Sequence, residues 1–276
     1  MPRSRTILIT GCSSGMGAYC ARALKADGWT VFATARKLSD IDDLKAEGFS
    51  AHYLDYSEAQ SIRDTVRAVL EQTGGTLDAL YNNGAYAVPG AVEDLPTTAL
   101  REQFEAAFFG WHELTQLIVP VMRRQGHGRI VHCSSILGLV PMKLRGAYVA
   151  SKFALEGLMT TQRMELAGSG IHVSLLEPGS IESHFRTNAA AQISKYIDIE
   201  KSVHREQYER EIAKFSQAKP PRFALGPDAI YKVLKHALEN ERPRPHYVVT
   251  VPAKLASFAK RMLSARALYR MLASQS

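Results

Sequence analysis

Thr6-Ile7-Leu8-Ile9-Thr10-Gly11-Cys12-Ser13-Ser14-Gly15-Met16-Gly17 decides the fold. Its first five residues are a β-branched, apolar run that reads as a buried strand. They feed a turn with glycine at 11, 15 and 17, followed by the helical stretch Ala18–Asp27. Glycine permits tight backbone geometry and close approach of a phosphate. A helix start offers free N–H groups and the positive end of a dipole to the same anion. The spacing is Gly-x-x-x-Gly-x-Gly, not the commoner Gly-x-Gly-x-x-Gly. Alone, such a run could be an ordinary strand–helix turn; near the N-terminus, in strand–turn–helix context, it predicts a dinucleotide site.

Outward from this turn, short strands alternate with helices. The patterning predicts strands near 6–10, 30–35, 51–54, 77–82, 128–134, 171–177 and 246–250, and helices near 15–27, 40–47, 57–72, 97–125, 147–168 and 227–240. Such alternation implies one α/β domain over 1–276: a Rossmann-type, doubly wound parallel sheet of about seven strands with helices on both faces. From 183 to 227 the rhythm breaks, and more than forty residues rich in charge and aromatics intervene. The insertion follows a strand end, so it reads as a lid over a substrate, with a surface for subunit contact as the alternative.

The composition, 46% hydrophobic and 22% charged, is that of a globular protein. No apolar stretch approaches the roughly 18–20 residues that span a bilayer, and the N-terminus runs straight into the first strand. Cys12, Cys20 and Cys133 have no disulfide-framework spacing and read as reduced thiols in a cytoplasmic protein. The nine histidines are scattered, His132 reads as structural, and no metal site is expected. The net charge of +7 is concentrated at the C-terminus, where residues 253–276 carry Lys254, Lys260, Arg261, Arg266 and Arg270 and no acid. Leu255, Phe258, Met262, Leu263, Ala267, Leu268 and Met271 recur there at helical spacing. A basic amphipathic helix over 253–273 follows. It could pack on its own domain or another subunit, or meet an anionic membrane surface. Without a nucleic-acid module, no nucleic-acid partner is expected.

Tyr148 and Lys152 stand four residues apart at the start of a helical run, so phenol and ammonium share one face. A cation beside a phenol favours the phenolate and brings it towards acid–base chemistry. Ser135 closes a strand-like run thirteen residues before Tyr148. That is where open α/β sheets bind ligands, and its hydroxyl can donate to a carbonyl.

Taken in order, Thr10-Gly11-x-x-x-Gly15-x-Gly17, Asn82-Asn83-Gly84, Ser135, Tyr148-x-x-x-Lys152 and Pro178-Gly179 resemble the short-chain dehydrogenase/reductase family over residues 5–250. Gly126-x-Gly128-Arg129-Ile130-Val131 and Ser151–Gly157 look most like its hydroxysteroid and retinol dehydrogenase branch. The resemblance implies an oxidoreductase interconverting a carbonyl and an alcohol, with Ser135, Tyr148 and Lys152 catalytic. It also implies a dimer or tetramer. Cofactor contacts would fall to Gly11, Ser13, Ser14, Gly15, Met16, Gly17, Gly84, Pro178 and Gly179. Asp55 would meet the adenine, Asn83 the ribose side, Tyr148 and Lys152 the nicotinamide ribose, and Ile181 and Ser183 the carboxamide. NAD-preferring relatives place an acid at the strand end where this chain has Ala35, and Arg36 follows. A guanidinium welcomes a 2′-phosphate, so NADP(H) is expected, unless Arg36 is a plain solvated charge. The branch and the lid aromatics Phe185, Tyr196, Tyr208 and Phe215 point to an apolar steroid-, retinoid- or lipid-like substrate. One departure stands out: Ala107 replaces an asparagine that, in relatives, bends its helix and holds a water linking the lysine to solvent. A catalytically impaired NADP(H)-binding regulator is therefore the alternative.

Overall fold

The computed structural model describes residues 5–183, 185–216 and 222–274, so parts of the expected lid and the last two residues of the C-terminal segment lie outside the described residues. Seven parallel strands form one sheet: β1 (Thr6–Ile9), β2 (Thr30–Ala35), β3 (Ser50–Tyr53), β4 (Ala79–Asn82), β5 (Gly128–Cys133), β6 (Ile171–Pro178) and β7 (His246–Val249). Their order is β3-β2-β1-β4-β5-β6-β7. The winding reverses between β1 and β4, which opens a crevice beyond their carboxyl ends. Every residue of β1 and β4 is buried, because helices cover both faces.

Helices α1 (Gly15–Ala26), α2 (Leu38–Ala46) and α3 (Ala59–Thr73) alternate with the first strands. The expected helix over 97–125 is interrupted: α4 (Thr97–Phe104) passes through a π turn at Glu105–Phe109 into α5 (Gly110–Gln125). The i→i+5 bonding of a π turn brings Phe109 over Phe104, and these rings pack with Phe108 at centroid distances of 5.1–6.3 Å. Gly110 completes the fit, since a Cβ there would lie 2.4 Å from the Tyr56 carbonyl oxygen. The bend is thus present with alanine at 107, whose side chain is buried.

The twenty-residue helix α6 (Gly146–Glu165) follows β5. Two helices occupy the insertion, α7 (Phe185–Tyr196) and α8 (Arg205–Ser216), before α9 (Asp228–Glu239). The expected single C-terminal helix is two, α10 (Val251–Met262) and α11 (Ala265–Ala273), separated at Leu263-Ser264. Ser264 starts the second by accepting a bond from the Ala267 N–H, an N-cap that favours a fresh helix over continuation. Among the described residues, no helix is long and apolar enough to cross a membrane.

Candidate active site

A cleft of about 1160 Å³ lies over the carboxyl ends of β1, β4, β5 and β6. Of the sequence-predicted site residues, all but Gly17 line it. Gly17 packs behind the turn: a Cβ there would lie 2.2 Å from the Gly11 carbonyl oxygen and 2.5 Å from Asn83 Nδ2. Gly11 has φ +68°, which favours glycine, and a Cβ on it would strike Gly84 Cα at 2.5 Å. Thr10 ties the two loops together, its Oγ1 accepting bonds from the N–H groups of Asn83 (2.8 Å) and Gly84 (3.1 Å). Asn83 Nδ2 donates to the carbonyls of Thr10 and Gly11.

This end suits a dinucleotide. Ser14 precedes α1 without a side-chain cap, so the first N–H groups of the helix remain available to an anion. Asn83 Oδ1 is buried without a hydrogen-bond partner among the described residues, an acceptor that a ribose hydroxyl could use. Arg36 is 61% exposed at the rim, 3.7 Å from Asp55 Oδ2. So exposed and long a pair contributes little and leaves the guanidinium able to turn to a phosphate.

Tyr148 and Lys152 occupy successive turns of α6 and are both buried, and Ser135 stands opposite at the end of β5. The Lys152 ammonium donates to the Cys133 carbonyl at 2.8 Å and lies 4.1 Å from the centre of the Trp111 ring. Burial pulls its pKa down to about 8, with the Cys133 and Glu156 charges opposing. Burial likewise pushes the Tyr148 phenol well above its usual range, and the neighbouring Ser135 hydroxyl pulls slightly the other way. The phenol is thus raised by burial, not lowered, although the Lys152 ammonium lies 5.7 Å from the centre of the Tyr148 ring. Tyr148 is therefore a neutral phenol at neutral pH.

Beyond Tyr148 the cleft gains an apolar wall, with Arg145, Arg210, Glu211 and Lys214 also lining this end. Phe185 meets the Tyr148 ring edge-on at 5.6 Å, and Val140, Met142, Leu144 and Phe215 continue the wall. Only two of the four expected lid aromatics line it. Tyr208 is fully buried inside the lid, donating to Asp94 at 2.9 Å and accepting from the Ala91 N–H at 2.7 Å. Tyr196 instead turns to Glu102 and Lys195 at the surface. Arg145, half-buried against Glu211 at 2.5 Å and stacked 4.9 Å from the Phe215 ring, fastens α8 to the start of α6.

Two groups escaped the sequence reading. Trp111, beneath Lys152, was hidden as one apolar residue of an amphipathic helix. Glu156, Glu177 and His246 converge from α6, β6 and β7, with nothing in their spacing to announce it. Glu177 accepts from His246 Nδ1 at 2.6 Å and from the Tyr247 N–H at 2.9 Å. Both Glu156 carboxylate oxygens are buried without a hydrogen-bond partner of normal geometry among the described residues. Burial, then the nearby Glu177, pushes the Glu156 pKa up to about 7.

A family model described as short chain dehydrogenase matches residues 5–194. An uncharacterized oxidoreductase of Escherichia coli, YbbO, is 35% identical over 268 residues, covering 97% of this chain and 94% of the relative. Human retinol dehydrogenase 8 is 35% identical over 196 residues, covering 69% of this chain and 63% of the relative. The structure of an actinorhodin polyketide ketoreductase variant with NADPH superposes with a TM-score of 0.72 at 26% identity, covering 89% of this chain and 95% of that one. The chain belongs to the short-chain dehydrogenase family and is an oxidoreductase of that family.

Proposed function

We propose that this short-chain dehydrogenase is an NADP(H)-dependent oxidoreductase that interconverts a carbonyl and a primary or secondary alcohol on an apolar steroid-, retinoid- or lipid-like molecule. The observation that carries the reading is one cleft that joins the glycine turn to Ser135, Tyr148 and Lys152 and then continues into the apolar wall under the lid. The NADPH in the similar ketoreductase supports the nucleotide and the retinol dehydrogenase supports the substrate class.

When bound, the nicotinamide supplies or accepts hydride. The glycine turn and the start of α1 would hold its pyrophosphate, Asp55 the adenine, Asn83 the ribose side, and Arg36 a 2′-phosphate. Pro178, Gly179, Ile181 and Ser183 would border the nicotinamide, with Lys152 and Tyr148 at its ribose. The Ser135 hydroxyl orients the substrate oxygen by donating to it. Tyr148 Oη, neutral before reaction, gives that oxygen its proton in reduction and receives it in oxidation. Lys152, with its pKa near 8, is cationic at neutral pH and lessens the cost of the transient phenolate. The segment 183–227 acts as the lid that excludes water.

Ala107 does not favour a regulator, because the bend at 105–109 and the Ser135/Tyr148/Lys152 geometry coexist with it. The exposed Phe109 and Met164 supply apolar surface for a homodimer or tetramer. Three buried free cysteines accord with a cytoplasmic protein. The test is a pair of dissociation constants. NADPH binds more tightly than NADH, and Arg36→Ala weakens NADPH alone by about 10–150-fold, the value of a charge-assisted phosphate contact. Equal affinities in the unaltered protein refute the NADP(H) assignment. Turnover that falls steadily as carbonyl substrates grow more apolar refutes the substrate class.

A further inference from the structure

α10 turns its apolar stripe away from the molecule. Val251, Leu255, Phe258 and Met262 are 63%, 64%, 63% and 67% exposed. At 3.6 residues per turn they fall within about 60° of one another around the helix. Ala253, the buried residue of α10, lies on the far side of the helix from them. Leu263 and Tyr269 carry exposed apolar surface across the break into α11. Both helices are well capped, by Thr250 and Ser264, so the face belongs to formed structure.

Charge accompanies the stripe. Lys254 and Arg261 flank it on α10, Lys260 follows behind, and α11 adds Arg266 and Arg270. No acid occurs after Glu241 in the sequence. None of the five cations enters an ion pair with an acid among the described residues. The inner side of the same helix pair faces the cleft through Ala253, Ala256 and Leu272, and Lys143 Nζ holds α11 to that rim by donating to the Ala273 carbonyl at 3.0 Å.

We propose that α10 and α11 dock the protein on an anionic lipid surface. The helix pair lies in the interface plane, with Val251, Leu255, Phe258 and Met262 among the acyl chains and Lys254, Arg261, Arg266 and Arg270 at the lipid phosphates, while Lys260 turns back over the Phe153 ring at 5.2 Å. The charge argues against a second copy as the occupant. A two-fold contact sets a patch against itself, so the four outward cations would meet their own copies with no acid on either helix pair to answer them. Docking also brings the mouth of the cleft next to the bilayer, from which an apolar substrate could enter directly. The lipid binding itself is independent of the proposed activity.

Vesicle co-sedimentation of the full chain tests this. Vesicles of phosphatidylcholine with phosphatidylglycerol carry the protein down at low salt, those of phosphatidylcholine alone do not, and raising salt from about 0.05 to about 0.5 M releases it. Lys254→Gln with Arg261→Gln lowers partitioning about thirtyfold, and Leu255→Gln with Phe258→Gln lowers it at least as far. Nucleotide binding in each variant checks its fold, and the salt series on the unaltered protein stands if a variant fails that check. Equal binding to neutral vesicles, or variants that fold yet bind undiminished, overturns the proposal. So does a protein that stays in the supernatant with both vesicles. If in that case Phe258→Gln also turns dimers into monomers on sedimentation, the face belongs to a second copy.

Discussion

The nucleotide end and the lid end of the cleft differ in how much change their structure can absorb. At the nucleotide end backbone meets backbone, Gly17 against the Gly11 carbonyl and Gly11 against Gly84, and the short Thr10 side chain is bonded to the backbone of the loop that carries Asn83. The backbone there cannot swing aside as a side chain can. At the lid end, α7 and α8 rest on a small separate cluster that includes Ile193, Ile197, Tyr208 and Phe215, fastened by Arg145–Glu211 and Tyr208–Asp94. Flexible side chains form most of those contacts, so single changes there can be accommodated. The chemistry sits where the two regimes meet, with Tyr148 in the lid cluster and Lys152 buried under the nucleotide end.

Tyr148→Phe separates the chemistry from both ends. The ring still packs on Phe185, but the transferable proton is gone. Turnover falls by about 10²–10⁴-fold while the NADPH dissociation constant changes little. Near-normal turnover would show that the proton comes from elsewhere. Gly17→Ala challenges the rigid end: the added methyl must displace either the Gly11 carbonyl or the Asn83 amide. Nucleotide affinity falls by about 100-fold or more, matching a loss of roughly 3 kcal/mol. Retained affinity would show that the turn yields after all.

A third test concerns stability, at the buried carboxylates beside the rigid end. The folded-state pKa of Glu156 is raised from 4.5 to about 7, so its contribution is fully present below about pH 4.5 and is lost as pH rises through about 7. His246, raised by its bond to Glu177, works in the same direction. Glu156→Gln, which stays neutral, becomes more stable relative to the unaltered protein by on the order of 2–3 kcal/mol between about pH 5 and pH 8. A pH-independent difference between the two unfolding curves would mean that Glu156 titrates normally. The smallest effect is expected at the lid. Phe215→Ala raises KM for apolar substrates by about tenfold, the value of roughly one buried side-chain contact, with nucleotide affinity unchanged. A matching loss of nucleotide affinity would erase the distinction between the two ends.

What the sequence made legible follows the same division. The strand–turn–helix at Thr6–Gly17 and the pair Tyr148/Lys152 are local patterns, set by strand period, glycine and the i,i+4 helix rule, and the structure places them as read. Trp111 under Lys152 and the meeting of Glu156, Glu177 and His246 depend on the order of the strands, which no short spacing encodes. In the insertion, α8 is so charged that its helical period carries few apolar residues, and the patterning predicts no helix there. The aromatics were misassigned for a related reason: composition marks them as apolar but cannot say which face of a lid looks inward. Tyr208 went to the lid's own core and Tyr196 to its surface.

The π turn at Glu105–Phe109 can be viewed as a question of phase. A π turn is a helix that has absorbed one extra residue, and everything after it is rotated relative to an uninterrupted α-helix. α5 therefore presents Trp111 to Lys152 only because that turn takes up the surplus residue. Deleting Ala106 would let α4 and α5 run on as one continuous helix. Trp111 would then stay near its present place, whereas the same residues wound without the π turn would set it about 100° further round and about 1.5 Å further along the axis, with the indole no longer under the ammonium. The chain thus keys the position of a side chain beside its buried cation to one turn that takes up a surplus residue, and a variant one residue shorter would lose the π turn yet keep its helices aligned.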